Sequence, residues 1–384
     1  MDRQECVRPA QVPGRRSATP FPERPWLTSV PPTMSDLLPG VTAATVDARI
    51  RIHHLESGPA DGEPVVLVHG NLSTGRFFEH LMSPASDRFR FLAPDMRGFG
   101  RTEQAPIDAT RGLGDWADDL VSYLDTLGVE RPHLVGWSTA GAAIALVARQ
   151  VPVASLTFLD PVAPYGYGGT FPDGTPCWDD HAGTGAGVAN PRFVELLREG
   201  DRGSAEPVSP RNVMNGTYWA PEFRLPPERE DLLLDEILLS NIGDDGYPGD
   251  ATPSEHWPGS APGTRGLLNA LSPKYCSWAW LPELDPKPPV LWTHGDKDLV
   301  VADGSFLELG TLGQAGVVPD WPGAEVFPPQ PMVAQIRTVL ARYEQAGGHV
   351  RTEVFAGSGH GPHVDAAEEW LAVATEFWGS AAGS

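Results

Sequence analysis

LVGWSTAGAAIAL, residues 134–146, is the stretch that decides how the rest of the chain is read. An apolar run with strand character passes through one hydroxyl, Ser138, into an alanine-rich segment with helix character. Gly136 and Ala140 stand two before and two after the serine, with Gly141 next. A strand that reverses at once into a helix leaves no room for side chains at those two positions and forces the residue between them into a strained backbone conformation. The hydroxyl would then stand clear of the carboxyl edge of the sheet, where open α/β sheets bind ligands, with a helix N-terminus behind it. The other reading of the same residues is a serine that only caps its helix. Residues elsewhere must decide between the two.

Outward from this stretch, the chain alternates strands with helices. Strand patterns cover 45–58 (a pair), 64–69, 89–95, 132–137 and 153–160, and a helical pattern covers 114–128. The rhythm stops at Pro161 and resumes at 288–296, followed by a helix over 328–348, a strand over 349–357 and a closing helix over 365–378. Such alternation implies right-handed crossovers and a mostly parallel, doubly wound α/β sheet covered by helices. The expected organisation is a leader over 1–38, a first core segment over 39–161, a cap inserted over 162–286 and a second core segment over 287–384. The leader is rich in Pro and Arg and lacks the apolar centre of a secretory signal, and Met34 inside it is a candidate start. The cap, mainly helical in expectation, has one clear helical piece at 229–241, whose acidic run PEREDLLLDE reads as a solvated face.

Composition narrows the function classes. With 28 basic against 50 acidic residues and a net charge of −22, nucleic acid and anionic membranes are poor partners. The apolar runs fall short of the roughly 18 residues a membrane helix needs. Cys6, Cys177 and Cys276 are odd in number and widely spaced, which speaks against a disulfide framework or thiolate metal site and for a reducing, cytoplasmic setting. Neither HExxH nor a helical HxxxH occurs, and phosphate-binding glycine loops are missing, so neither metal nor cofactor is expected.

A serine needs a base within reach and a carboxylate to orient that base. The loop after the strand at 288–293 offers Asp296 and Asp298, and the loop after the strand at 349–357 offers His360 and His363. His360 sits among Gly357, Gly359 and Gly361, which let the backbone bend around it, and is the expected base. His363 reads as a cap or surface residue. Asp298, deeper in its loop, is preferred to Asp296, which reads as a turn cap; Asp160 is a third candidate.

In order along the chain, HGN (69–71), DMRGFGRT (95–102), GWSTAG (136–141), HGDKD (294–298) and GSGHGPHVD (357–365) resemble the signatures of the α/β-hydrolase fold, in particular its epoxide hydrolase, haloalkane dehalogenase and cofactor-free esterase branch. The resemblance spans about residues 41–380. Epoxide hydrolases and dehalogenases carry an aspartate at the turn where this chain has Ser138, and Ala140 replaces the usual glycine. The resemblance therefore implies acyl transfer through an acyl-serine on an ester or lactone, with Ser138, His360 and Asp298 as triad. Backbone N–H groups of Asn71 (or Leu72) and Thr139 would form the oxyanion hole. Arg97, Gly98 and Gly100 would shape the sheet edge. Two other uses of the same pocket are a non-hydrolytic or C–C cleaving reaction and a ligand receptor with little turnover. In the cap, Trp178, Trp219, Trp257, Trp278 and Trp280 accompany five of the seven tyrosines, Tyr165, Tyr167, Tyr218, Tyr247 and Tyr275. They suit a wall for a bulky, apolar small-molecule substrate, although most of them also suit the cap's own core.

Overall fold

The computed structural model describes residues 37–83 and 87–381; Cys6, Met34 and nearly all of the expected leader lie outside the described residues. An eight-stranded sheet organises them. In chain order its strands are β1 (Thr42–Asp47), β2 (Arg51–Ser57), β3 (Glu63–Val68), β4 (Phe89–Pro94), β5 (His133–Trp137), β6 (Ser155–Leu159), β7 (Val290–Gly295) and β8 (Val350–Phe355). Their spatial order is β1-β2-β4-β3-β5-β6-β7-β8. The β1–β2 and β2–β4 pairings are antiparallel, and all others are parallel. The expected strands are therefore present within a few residues of their predicted bounds.

Burial explains the two kinds of sequence pattern. β5 and β6 lie mid-sheet and every residue in them is buried, as unbroken apolar runs in a covered parallel sheet require. β1 sits at an edge and has no buried residue. The helices are α1 (Gly114–Thr126), α2 (Ala140–Ala148), α3 (Pro191–Glu199), α4 (Pro210–Thr217), α5 (Pro227–Leu238), α6 (Met332–Gln345) and α7 (Ala367–Ala381), with shorter turns between. α2 is apolar around nearly its whole circumference, with only Leu146 and Ala148 part-exposed.

Between β6 and β7 the chain carries α3, α4 and α5, strand pairs of two or three residues, and long irregular segments. This insertion shares one hydrophobic cluster with the sheet: Trp219, Leu233 and Trp278 belong to it together with Val66 and Trp137. Trp219, Trp278 and Tyr247 are buried core members, so for these rings the packing reading prevails. The acidic face of α5 departs from expectation. Glu236 is buried and takes both ends of the Arg101 guanidinium at 2.9 Å, with Thr74 Oγ1 donating to it at 2.8 Å. Two turns earlier on the same face, Arg229 pairs with the buried Glu79 at 2.5 Å. The helix is thus clamped to the core by two ion pairs, a consequence of partners far away in the chain.

Candidate functional site

Ser138 follows the last residue of β5 with φ of +56°, a left-handed conformation that costs a residue with a Cβ on the order of 1–2 kcal/mol. The neighbouring backbone holds it there: Ser138 N–H donates to Leu159 O at 2.9 Å, and Val162 N–H donates to Ser138 O at 2.9 Å. The small residues around it are required. A Cβ on Gly136 would fall 2.7 Å from Ala140 O, one on Gly141 2.5 Å from Pro161 Cβ, and one on Gly70 2.9 Å from Ser138 Cβ. Gly70 of HGN therefore lies directly against the serine. Ser138 itself is half-buried, whereas its neighbours Trp137 and Thr139 are buried. Thr139 stands at the N-terminus of α2, where helix N–H groups lack intrahelical partners.

Two more non-glycine residues adopt positive φ on the same edge of the sheet, Leu72 (+48°) beyond β3 and Asp160 (+41°) beyond β6. Strain gathered at the carboxyl ends of three adjacent strands is characteristic of a functional edge. His69, before Gly70, is buried with Nδ1 2.8 Å from Gly70 O, and its Nε2 accepts from Met96 N–H at 2.8 Å. Burial pulls its pKa down to about 4, so it is a neutral strut. Asp95 of DMRGFGRT accepts from the N–H groups of Gly75 and Arg101 and contacts His53 Nδ1 at 2.8 Å. Arg97 forks onto the buried Asp119 at 2.7 and 2.8 Å.

Asp298 and His360 come together. Nδ1 of His360 lies 2.8 Å from Asp298 Oδ2, while Oδ1 of Asp298 accepts from Val300 and Val301 N–H at 2.7 and 3.0 Å. Both side chains are buried. His360 Nε2 is buried and has no hydrogen-bond partner, leaving its lone pair or proton for something else. The two loops meet so tightly that a Cβ on Gly295 would fall 2.0 Å from Gly359 O. Trp137, the residue before Ser138, donates its indole N–H to His360 O at 2.7 Å and so ties the histidine loop to the serine turn. Burial disfavours the imidazolium, but the charge and hydrogen bond of Asp298 outweigh this and raise the His360 pKa above its ordinary value. Burial likewise works against the Asp298 carboxylate, and the His360 charge and hydrogen bond hold its pKa low.

Asp160 lies in the same cluster. Its Oδ1 accepts from Gly295 N–H and contacts His294 Nδ1, both at 3.0 Å, while its Oδ2 is buried without a partner. Burial, reinforced by the Asp298 charge, drives its pKa well above the usual carboxylate range. Asp160, Asp298 and His360 each offer one ligand atom, all within 4.8 Å of one another, the only such grouping found among the described residues. A cation seated there would compete with the Asp298–His360 hydrogen bond. Asp296 is exposed and accepts from Gly357 N–H at 2.7 Å, as a turn cap does.

His363 requires a correction. It is fully buried, not a surface residue, with its ring centroid 4.6 Å from Trp137 and 4.9 Å from Phe78. His363 lies in the short helical turn Pro362–Asp365, which seats its ring among Phe78, Trp137 and Trp370. Sequence reasoning also missed Tyr218, whose hydroxyl donates to Asn71 O at 3.2 Å and Leu72 O at 3.1 Å, and Asp365, which accepts from Gly359 and Ala220 N–H at 2.8 Å. Tyr218 had no local signal, since its partners are about 147 positions away. Asp365 lies inside GSGHGPHVD and could have been noticed as a loop-bracing acid.

The strand order and the strained turn between β5 and α2 are those of the α/β-hydrolase fold. A family model described as alpha/beta hydrolase fold matches residues 63–180. The chain has that fold. Among curated proteins, a cis-3-alkyl-4-alkyloxetan-2-one decarboxylase from Xanthomonas campestris pv. campestris is 39% identical over 100 residues, covering 24% of this chain and 33% of its own length. A haloalkane dehalogenase from Mycobacterium marinum is 41% identical over 63 residues, covering 16% of this chain and 21% of its own length. The chain thus matches only about a third and a fifth of those two relatives. Among solved structures, a bacterial membrane phospholipase A aligns with a TM-score of 0.57 at 18% identity, covering 90% of this chain and 88% of that one, a likeness of fold.

Proposed function

We propose that the protein is a cofactor-independent serine hydrolase that cleaves a carboxylic ester or lactone. Ser138 attacks the carbonyl carbon, and His360 Nε2 takes the hydroxyl proton and returns it to the leaving alkoxide. Asp298 holds His360 with Nδ1 protonated, so that Nε2 is the basic nitrogen. The N–H groups of Thr139 and Asn71, with Leu72 as the alternative second donor, stabilise the oxyanion. Water activated by His360 then releases the acid from the acyl-serine.

The observation that carries this reading is the buried Asp298–His360 pair with a free Nε2, tied through Trp137 to the strained turn that bears a part-exposed serine. His360 Nε2 makes no hydrogen bond to Ser138, and catalytic hydrogen bonds of this kind tighten when substrate binds. The aromatic cap suits a bulky, apolar acyl or alcohol group, and the cysteine usage suits a cytoplasmic location. Among the described residues, no helix is long and apolar enough to cross a membrane.

Ser138→Ala and His360→Ala are each expected to lower turnover of a p-nitrophenyl ester by roughly 10³-fold or more while the melting temperature stays within a few degrees. Near-native turnover in either variant would reject the assignment. The name of the Xanthomonas relative refers to an oxetan-2-one, which places strained lactones in the substrate panel and keeps a non-hydrolytic reaction as the second reading. Labelled water separates the two, because hydrolysis must put solvent oxygen into the acid product.

A further inference from the structure

We infer that Tyr218, contributed by the insertion, is a positioning residue that sets the oxyanion loop, so that the hole is complete only while the insertion sits closed on the core; this rests on the reading of the site as a serine hydrolase. The loop in question, residues 70–72, contains Leu72 at φ of +48°. A leucine held there stores strain that its surroundings must offset. The single proton of the Tyr218 hydroxyl is shared between two successive carbonyls of the loop, Asn71 O and Leu72 O, at 3.2 and 3.1 Å. Holding the Asn71 carbonyl on the tyrosine side fixes the plane of the 71–72 peptide, and with it the direction of Leu72 N–H, the alternative second donor of the proposed hole. The phenol is well suited as a donor, because burial pushes its pKa up and keeps the proton on. Its ring is held by Trp137 and Phe77, at centroid distances of 5.6 and 6.1 Å.

The residues on either side of the hydroxyl's attachment do the same for the histidine loop. Tyr218 closes α4. Its own carbonyl would lie 3.0 Å from a Cβ on Gly361, and a Cβ on Gly359 would fall 2.3 Å from the carbonyl carbon of Trp219. Ala220 N–H and Gly359 N–H share Asp365 Oδ2, both at 2.8 Å. Three consecutive residues of the insertion therefore brace both loops that flank the serine turn. Lifting this segment would free the Asn71 and Leu72 carbonyls and undo the packing against His360's neighbours together. Ion pairs from α5 hold the same insertion down, Glu236 on Arg101 and Arg229 on Glu79.

The test is Tyr218→Phe, which removes the hydroxyl and keeps the ring, assayed beside wild-type protein with a p-nitrophenyl ester, a trifluoromethyl ketone inhibitor and a fluorophosphonate. Loss of loop order is expected to lower kcat by about 10-fold or more, less than or comparable to the 10²–10³-fold recorded for deleting an oxyanion donor outright. KM should change by less than about 2-fold, inhibitor affinity should fall in parallel with kcat, and the pH midpoint of kcat/KM should not move. A merely structural role would lower the melting temperature without that kcat-only pattern. Wild-type kcat in the variant, a change confined to KM, or a shifted pH midpoint overturns the inference and leaves the hydrolase reading intact, provided wild-type protein reacts with the fluorophosphonate. A wild-type protein that does not react overturns both.

Discussion

Asp298 and His360 make a pH-dependence that can be worked out from their surroundings. Burial alone would lower the imidazole's pKa; the adjoining carboxylate reverses the sign and raises it. The base acts only when neutral, so kcat/KM should rise with pH through a midpoint above the ordinary 6.5. Asp298→Asn removes the charge and leaves the burial cost, so the midpoint should move down while kcat falls by roughly 10³–10⁴-fold through loss of the correct tautomer. A pH–rate profile of both proteins checks this, and an upward shift in the variant would contradict it. Asp160 is expected to behave in the opposite way. Burial and the Asp298 charge favour its neutral form, which Asn matches in shape and charge, so Asp160→Asn should keep turnover within about threefold, or ~0.7 kcal/mol. A loss much above tenfold would mean that Asp160 works as an anion. The strained turn at Ser138 and the tight loop at His360 were legible because such turns need particular small neighbours, and those neighbours are local. Choosing Asp298 over Asp160 was only a preference, since the choice depends on which carboxylate finds His360 and which finds His294, and that is set by the pairing of β6 with β7.

At the level of elements, α5 shows where periodicity misleads. Its apolar positions correctly predict a helix, but Glu236 falls among the buried residues and reads as a solvated charge only because Arg101, 135 positions earlier, is invisible to any local pattern. Glu236→Gln should destabilise the fold by about 1–3 kcal/mol, since it leaves a part-buried guanidinium without its counter-charge. Urea unfolding measures this, and a change within ~0.5 kcal/mol would show that the pair contributes little beyond orientation. The strands of the sheet were legible to within a few residues, because central parallel strands must be continuously apolar and edge strands need not be. The loop 357–365 was legible in its glycines but not in its direction. Gly359 and Gly361 are small because backbone of the insertion passes within contact distance, and that passage also draws His363 inside.

At the scale of the described residues, the segment between β6 and β7 shares the sheet's hydrophobic cluster and packs against the loops beyond β3 and β8. The alternation of strand and helix on both sides of the insertion revealed the core and the place of the insertion. The interior of the insertion stayed unreadable because its chain is mostly irregular, rich in Gly, Pro and rings, and carries no period from which faces can be inferred. Its aromatics divide accordingly: Trp219 and Trp278 fill the common core, Tyr218 braces a loop, and Trp178 stacks on His256 at 4.5 Å, away from the serine turn's own ring cluster. All of this bears on function only if the serine on the strained turn is reactive. The most direct measurement is incubation of the whole protein with a fluorophosphonate, followed by intact mass and peptide mapping. One adduct per chain on Ser138, lost in His360→Ala, is the expected result; an unreacted protein, or an adduct at another residue, would contradict the account.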